Sequence, residues 1–271
     1  MNSHQRVLAD TWTVRYVPTL PHEHPDIYDP ARPELALPHT VELAWRRDDE
    51  RAAVQTVRTG STVDVDVTSV LPAVTQWFEW TIPPGVDHID LPLARDVDAA
   101  TLWLDDVEQR IEPATVVELD PVPSPSRRAK LRVRGRALGG AVFTAPVTYR
   151  FEDGVLQTGS WLTQGLRSYS GAVRLRQTFR VVDAVPRSGV LDLGRVRGTV
   201  EGRLNGNPLG RRVLPPFQFD LTDRLRAGEN ELELLVTNTP ANYLSTWSRT
   251  RVWAIDELES GVFGPVVVRH A

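Results

Sequence analysis

The sequence predicts an all-β protein of two tandem β-sandwich units, and three observations carry this prediction. First, the chain consists of short runs rich in β-branched and aromatic residues, each bounded by Gly, Pro, Asn or Asp, as strands of sandwiches are. Second, its 21 prolines suit strand edges and turns and are incompatible with helix interiors. Third, the order of these runs repeats along the chain.

The predicted strands follow one another from the N-terminus, and no convincing amphipathic helix separates them. A single helical turn at LTDRLRAG is the one exception we consider. In chain order the strand-like runs are TVRYV, TVELAW, STVDVDV, WFEWTI, ATLWL, KLRVRG, APVTYRF, AVRLRQTFRV, GTVEGRL, NELELLVTN and GPVVVRH.

The internal repeat divides the chain into two units. GAVFTAPVTYR (140–150) and GVFGPVVVR (261–269) share a Gly, a Val-Phe pair, a Pro-Val pair and a closing Arg. Upstream of each, a strand is followed by an apolar run with Asp-Leu, a strand ending in an acidic or Asn-Gly turn, and a longer strand. We therefore expect a first β-sandwich unit over residues 1–150 and a second over residues 151–271.

Composition excludes several classes of function. The formal net charge is −4 and the pI is about 5.9, which argues against a nucleic-acid or anionic-membrane surface. The chain contains no cysteine, so disulfides, thiolate metal sites and cysteine nucleophiles are excluded. No apolar run reaches membrane-helix length, and MNSHQRVLADTW lacks the apolar core of a signal peptide. We expect a soluble protein of undetermined compartment.

Turn residues and alternation explain much of the second unit. Asn205-Gly206 is the pair favoured in two-residue hairpins, where both central residues take a positive φ. Downstream, Leu232, Leu234 and Val236 are expected to face the core at a period of two, as are Val173 and Leu175 in the first long strand of the unit.

The same segment carries a family resemblance. GSW, GLRSYSGAVRLRQTF, LDLGRV, EGRLNGNPLG, LPPFQFDLTDRLRAGENELELLVTNT and SGVFGPV occur in one order. They resemble the galactose-binding-like jelly roll known as the sugar-binding domain of glycoside hydrolase family 2, in the version at the C-terminal end of large α-L-rhamnosidases. In those enzymes the catalytic carboxylates lie on a (β/α) barrel, and nothing here alternates strand and helix as a barrel requires. The resemblance therefore implies a region without catalytic residues.

Two local clusters are candidate chemical sites. His22 and His24 lie two residues apart, so on a strand both imidazoles would share one face and could bind a metal, although a proline-bounded surface loop is the favoured interpretation. The acidic run Leu104–Glu112 offers paired carboxylates, but the repeat aligns it with the Asn205-Gly206 hairpin and so predicts a solvated turn. Jelly rolls of this type often hold a structural calcium ion, which no linear motif places here. We expect no other cofactor.

Carbohydrate binding is the better-supported chemistry. A sugar presents apolar C–H faces and a rim of hydroxyls, so sugar sites combine aromatic rings with planar polar groups. The loop-like run NTPANYLSTWSRTRVW supplies both, and sandwich loops are where binding residues collect. The alternative is that Trp161 seals the core and the asparagines satisfy loop backbone. The predicted carbohydrate-binding residues are Trp161, Tyr169, Asn242, Tyr243, Trp247 and Arg249.

These observations predict a non-catalytic β-sandwich region of a glycoside hydrolase-like protein. Its expected partners are a catalytic glycosidase domain or subunit and a carbohydrate. Two alternatives stay open: a stand-alone lectin-like module, and a structural domain without a ligand that meets a partner protein.

Overall fold

The computed structural model is an all-β molecule. It describes residues 4–18, 42–47, 55–58, 74–95, 97–112, 115–118, 127–135, 143, 148–151, 153–167, 169–182, 188–244 and 259–270. Two short helices accompany the strands in these ranges, a 3-10 helix at Trp161–Gln164 and the four-residue helix α1 at Ala241–Leu244. The predicted all-β class is confirmed.

The strands are short and all ladders between them are antiparallel in the described part of the chain. They are β1 His4–Val7, β2 Thr11–Pro18, β3 Glu42–Arg47, β4 Gln55–Arg58, β5 Val74–Ile82, β6 Val86–Leu91, β7 Val97–Leu104, β8 Val107–Ile111, β9 Thr115–Glu118, β10 Arg127–Gly135, β11 Thr148–Phe151, β12 Gly154–Gln157, β13 Gly171–Val181, β14 Gly189–Asp192, β15 Arg195–Arg197, β16 Thr199–Leu204, β17 Asn207–Arg212, β18 Gln218–Asp220, β19 Gly228–Thr237, β20 Gly261–Gly264 and β21 Val267–His270.

One sandwich is formed by strands β1 and β2 together with the strands from β12 onward. Its six-stranded sheet has the order β12-β2-β13-β19-β16-β17, and its four-stranded sheet has the order β1-β21-β14-β18. The sheets pack face to face where a Cβ on Gly202 of β16 would lie 3.4 Å from the Phe219 ring of β18. We call this the outer unit.

The second sandwich is formed by strands β3 to β11, which lie within residues 42–151. Its larger sheet has the order β4-β3-β5-β10-β7-β8, and its smaller sheet has the order β11-β6-β9. Phe78 of the larger sheet meets Phe143 edge-to-face, with the ring centroids 5.2 Å apart. We call this the inner unit.

The two units are copies of one topology, which supports the repeat predicted from the sequence. The larger sheets correspond strand for strand, from β4-β3-β5-β10-β7-β8 to β12-β2-β13-β19-β16-β17. The smaller sheets correspond as β11-β6-β9 to β21-β14-β18, with β1 added at the edge of the latter. The repeat even preserves turn geometry: Asp105 and Asp106 have φ values of 48° and 69°, and Asn205 and Gly206 have 53° and 79°.

In the sequence, the inner unit lies between strands of the outer unit that pair with each other. Strand β2 pairs with β12 from Thr11↔Gln157 to Val14↔Gly154, although residues 42–151 separate them in the chain. Strand β1 likewise pairs with β21, from His4↔His270 to Val7↔Val267. The sequence analysis expected residues 1–150 to form one unit, whereas β1 and β2 complete the sheets of the later unit. The inner unit is therefore inserted in the sequence of the outer unit, after its first two strands.

The units contact each other through the turn at residues 83–85 of the inner unit. The buried Tyr16 hydroxyl donates to the Pro84 carbonyl at 2.7 Å. A Cβ on Gly154 would lie 2.5 Å from the Gly85 nitrogen, and one on Gly165 would lie 2.7 Å from the Pro83 nitrogen. Two glycines of the outer unit thus allow its backbone to lie directly against the inner one.

Alternation along the strands places the core as the sequence predicts. Leu232, Leu234 and Val236 of β19 are fully buried, and so is Val173 of β13, with Leu175 nearly so. The aligned burial pattern has a period of two, which puts every second side chain between the sheets.

Candidate functional site

The 3-10 helix that follows β12 positions the first predicted binding residue. Ser160 caps it, since its hydroxyl accepts from the Leu162 N–H at 3.3 Å, and Gly165 ends it at a φ of 81°. The Gln164 side chain accepts from the Gln157 N–H at 2.8 Å and donates to its carbonyl at 3.0 Å, so the helix is fastened to β12.

Trp161, the first residue of this helix, belongs to a buried cluster of three aromatic rings. Tyr169 contacts Tyr16 edge-to-face with centroids 5.8 Å apart, and Trp161 lies 6.2 Å from Tyr169. Tyr169 donates its hydroxyl to the Ala172 carbonyl at 2.7 Å. Burial raises the pKa of both tyrosine hydroxyls well above the usual value. Both tyrosines are therefore neutral, and all three rings are buried.

An asparagine beside these rings holds the segment around Tyr169. Asn238 accepts from the Gly171 N–H at 2.8 Å and donates to the Tyr169 carbonyl at 2.8 Å. Because its one side chain satisfies a donor and an acceptor of the same segment, it fixes the path of the chain into β13.

A second asparagine ties together the two sides of the run that was predicted to be a binding loop. Asn242 of α1 donates to the Arg167 carbonyl at 2.9 Å and accepts from the Ser260 hydroxyl at 3.3 Å. Both Asn242 and Ser260 are buried, and they flank the segment of residues 245–258. One buried polar network therefore joins the residues that flank this segment on either side. Sequence reasoning did not find Ser260, since a lone serine before a glycine carries no signal.

The structure brings three of the six predicted binding residues into one neighbourhood and buries them. Trp161 and Tyr169 belong to the ring cluster, and Asn242 belongs to the adjoining amide network. Tyr243 lies in α1, but its side chain is not among the described parts of the structure. Trp247 and Arg249 lie outside the described residues. Contact with a sugar stays a prediction for all six. In this structure the three described side chains belong to the buried ring cluster and the amide network beside it.

The acidic run forms the solvated turn that the repeat predicts. Asp105 and Asp106 connect β7 to β8, and Asp105 accepts from Arg127 Nε at 2.7 Å and from the Arg128 N–H at 2.9 Å. Partial burial opposes ionisation of Asp105, but these hydrogen bonds and the Arg127 charge together lower its pKa. The carboxylate thus fastens the turn to β10.

Metal binding and membrane spanning find no support in the part of the chain that the structure describes. The histidine pair at 22 and 24 lies outside it. Within it, no three His, Asp or Glu side chains gather closely enough to hold a metal ion. The same residues contain no helix with the length and apolar character to span a membrane.

Comparison with known proteins finds partial likenesses. No protein-family model matches the chain. It is 38% identical over 84 residues to a putative beta-glucuronidase of Formosa agariphila, and these residues are 30% of this chain and 7% of that protein. Among solved structures, a rhamnosidase from Novosphingobium sp. PP1Y matches 84% of this chain and 25% of its own at 17% identity and a TM-score of 0.36. A beta-glucuronidase of Bifidobacterium dentium matches 44% of this chain and 25% of its own, at 23% identity and a TM-score of 0.32. This chain is thus similar to a small part of each of these longer proteins.

Proposed function

We propose that this chain is an accessory β-sandwich region of a glycoside hydrolase, which packs on a catalytic domain and contacts carbohydrate without cleaving it. The observation that carries this proposal is the 38% identity over 84 residues to a putative beta-glucuronidase. Since these residues are 7% of that protein, the likeness concerns a small region of a much larger chain. The all-β architecture is compatible with this role, although fold alone does not imply function.

Carbohydrate contact is assigned to the segment of residues 245–258 and its flanking Tyr243. The buried network of Asn242 and Ser260 holds the residues on both sides of this segment together. Trp247 and Arg249 supply a ring and a planar cation, the pair of groups that suits a pyranose face and its hydroxyls.

An exposed apolar turn supports packing on another domain. The turn after β17 carries four consecutive apolar residues, 213–216, none of them buried. Val213 is 57% and Leu214 is 72% exposed. Consecutive exposed apolar residues are unfavourable unless a partner covers them. We assign the catalytic domain as that partner, since the related protein extends far beyond the matched region.

A glycan-array screen tests the carbohydrate contact. The 271-residue chain is screened against rhamnose-, galactose- and arabinose-terminated oligosaccharides, next to the Trp247→Ala and Tyr243→Ala variants. We expect specific binding that both variants lose. Arg176→Gln, on an exposed sheet face of the outer unit, is the matched control and should bind as the wild type does. A folded protein that binds no glycan would contradict the contact and leave only the packing role.

The packing role has its own test. Leu214→Ser removes an exposed apolar side chain and should leave stability almost unchanged, while it weakens association with a separately produced glycosidase catalytic domain. Equal association of the wild type and Leu214→Ser would exclude this turn as the contact.

A further inference from the structure

The central strand of the larger inner sheet carries alternating apolar and basic residues. Ala129, Leu131 and Val133 of β10 are fully buried. Successive side chains of a strand point to opposite faces, so the residues that alternate with these three share the outer face. All of these are basic: Arg128, Lys130, Arg132 and Arg134. They form a cationic row along the middle of the sheet, with members about 7 Å apart.

Two tryptophans from the neighbouring strands meet above this row. Trp77 of β5 is the cross-strand partner of Arg132, and Trp103 of β7 is the partner of Lys130. Their ring centroids lie 5.5 Å apart at an interplanar angle of 27°. Because β10 separates β5 from β7, the rings lean toward each other across the central strand, and each keeps part of its surface exposed.

The rings hold the two middle cations in place. Lys130 Nζ lies 4.8 Å from the Trp77 ring centroid, and Arg132 Cζ lies 5.7 Å and 5.4 Å from the Trp77 and Trp103 centroids. The Arg132 guanidinium also donates to the Thr101 hydroxyl at 3.2 Å. These contacts orient the cations without neutralising them.

Cations outnumber carboxylates on this face. Three described carboxylates share it, Glu79, Glu108 and Glu112, and the one ion pair to the row in the described ranges joins Lys130 to Glu79 at 3.9 Å. None of the other cations on the face pairs with a carboxylate in those ranges: Arg110, Arg128, Arg132 and Arg134. An excess of cations on a chain whose net charge is −4 marks this surface as distinct.

The outer unit shows that the fold does not require this row. Its equivalent strand β19 places glutamates at the corresponding outward positions, at 229, 231 and 233. There Glu233 pairs with Arg176 of β13 at 2.9 Å and with Arg174 at 3.7 Å. One copy of the repeat therefore places glutamates at these positions, one of them paired with two arginines, where the other copy places cations beside two aromatic rings.

We propose that this face of the inner unit binds an acidic oligosaccharide built from uronic acids. The exposed ring surface suits the C–H faces of pyranoses, and planar guanidinium groups can bind carboxylates through two parallel hydrogen bonds. The regular spacing of the row matches a ligand with repeated negative charges. This inference goes beyond the carbohydrate contact of the proposed function, since it concerns another unit and specifies the charge of the ligand.

The test uses titration calorimetry with the full chain and two pairs of probes. The acidic probes are tetrasaccharides of galacturonate and of glucuronate, and the matched probes are their methyl esters, which keep the sugar and remove the charge. We expect at least one acidic probe to bind, its methyl ester to bind at least about tenfold more weakly, and affinity to fall as salt rises.

Four variants distinguish binding at this face from binding elsewhere on the chain. Arg134→Gln removes a cation at the end of the row, and Arg132→Gln removes the one between the rings; each should weaken the acidic probe about tenfold. Trp103→Leu should weaken the acid and its ester alike, because ring contact does not depend on charge. Arg176→Gln, on the equivalent face of the outer unit, should change nothing.

Several results would overturn the proposal. These are no binding of either acidic probe, equal binding of acid and ester, an effect of Arg176→Gln equal to that of Arg134→Gln, or an unchanged affinity in Trp103→Leu. Equal affinity for a single-stranded oligonucleotide of the same charge would show a general polyanion surface instead. Loss of acidic binding in Trp247→Ala with retention in Arg134→Gln would move the site to residues 245–258, so the outcomes for this face and for the proposed carbohydrate contact remain distinguishable.

Discussion

Substituting Gly154 with alanine tests the contact between the two units. Gly154 opens β12 of the outer unit, and its φ is not positive, so alanine introduces no backbone strain. The added Cβ would lie 2.5 Å from the Gly85 nitrogen and 2.7 Å from the Pro84 carbonyl carbon. Both atoms belong to the inner unit's backbone, which cannot rotate away as a side chain can.

The magnitude follows from these distances. An ordinary contact needs about 3.5 Å, so one unit must move by about 1 Å, and overpacking of this kind costs about 1–3 kcal/mol. Moving the turn also weakens the bond from Tyr16 to Pro84, a buried hydrogen bond worth about 1 kcal/mol. Alanine restricts the unfolded chain and returns about 0.4–1 kcal/mol. We expect a net loss of about 2 kcal/mol in the free energy of unfolding.

Urea denaturation followed by tryptophan fluorescence measures this loss. Gly202→Ala is the matched control, since Gly202 also lies on a strand without positive φ, and its Cβ would meet its neighbours at 3.4 Å. The control should change the free energy of unfolding by less than about 1 kcal/mol. Equal stabilities of Gly154→Ala and Gly202→Ala would refute the packing of the units at this turn.

Three further predictions concern the repeat, the acidic turn and the buried amide network. Because Asp106 has a φ of 69° where the other copy has glycine, Asp106→Gly should stabilise by about 1 kcal/mol and Gly206→Asp should destabilise similarly in urea titrations; changes of the opposite sign would contradict the equivalence of the turns. The lowered pKa of Asp105 stabilises the fold at pH values above the unfolded pKa of about 4, and this stabilisation is lost as pH falls through the folded pKa. The wild type should therefore have a higher melting temperature than Asp105→Asn at about pH 7 but not at about pH 2. A difference in melting temperature that persists in acid would exclude the charge of Asp105 as its cause. Asn242→Ala removes the side chain that donates to the Arg167 carbonyl and accepts from the buried Ser260 hydroxyl. It should cost about 1–3 kcal/mol, with faster proteolysis of residues 245–258; a neutral effect would show that the network is dispensable.

Local features of the fold were predictable from the sequence, because each is set by near neighbours in the chain. The buried positions Leu232 and Leu234 follow from strand alternation, and the Asn205-Gly206 turn follows from backbone preference. The insertion of the inner unit was not predictable, because the ladder between β2 and β12 joins segments separated by the whole inner unit. No local pattern records a pairing of that sequence separation.

The candidate site was only partly predictable for a related reason. Trp161 and Tyr169 are residue types that occur in sugar sites, but whether a ring faces solvent depends on tertiary packing. In this structure both rings are buried in a cluster with Tyr16 of β2. The Trp77 and Trp103 pair escaped sequence reasoning because its members meet only through the register of two strands on opposite sides of β10. Alternating basic residues in RRAKLRVRG were the available signal.

The most direct test of the account is retention of a glycan on the immobilised 271-residue chain, with the eluted glycan identified by mass spectrometry. A region that contacts carbohydrate without cleaving it should retain a rhamnose-, galactose-, arabinose- or uronate-containing oligosaccharide and release it intact. Failure to retain any of them on folded protein would contradict carbohydrate contact. Release of shortened products that Trp247→Ala abolishes would contradict the non-catalytic role.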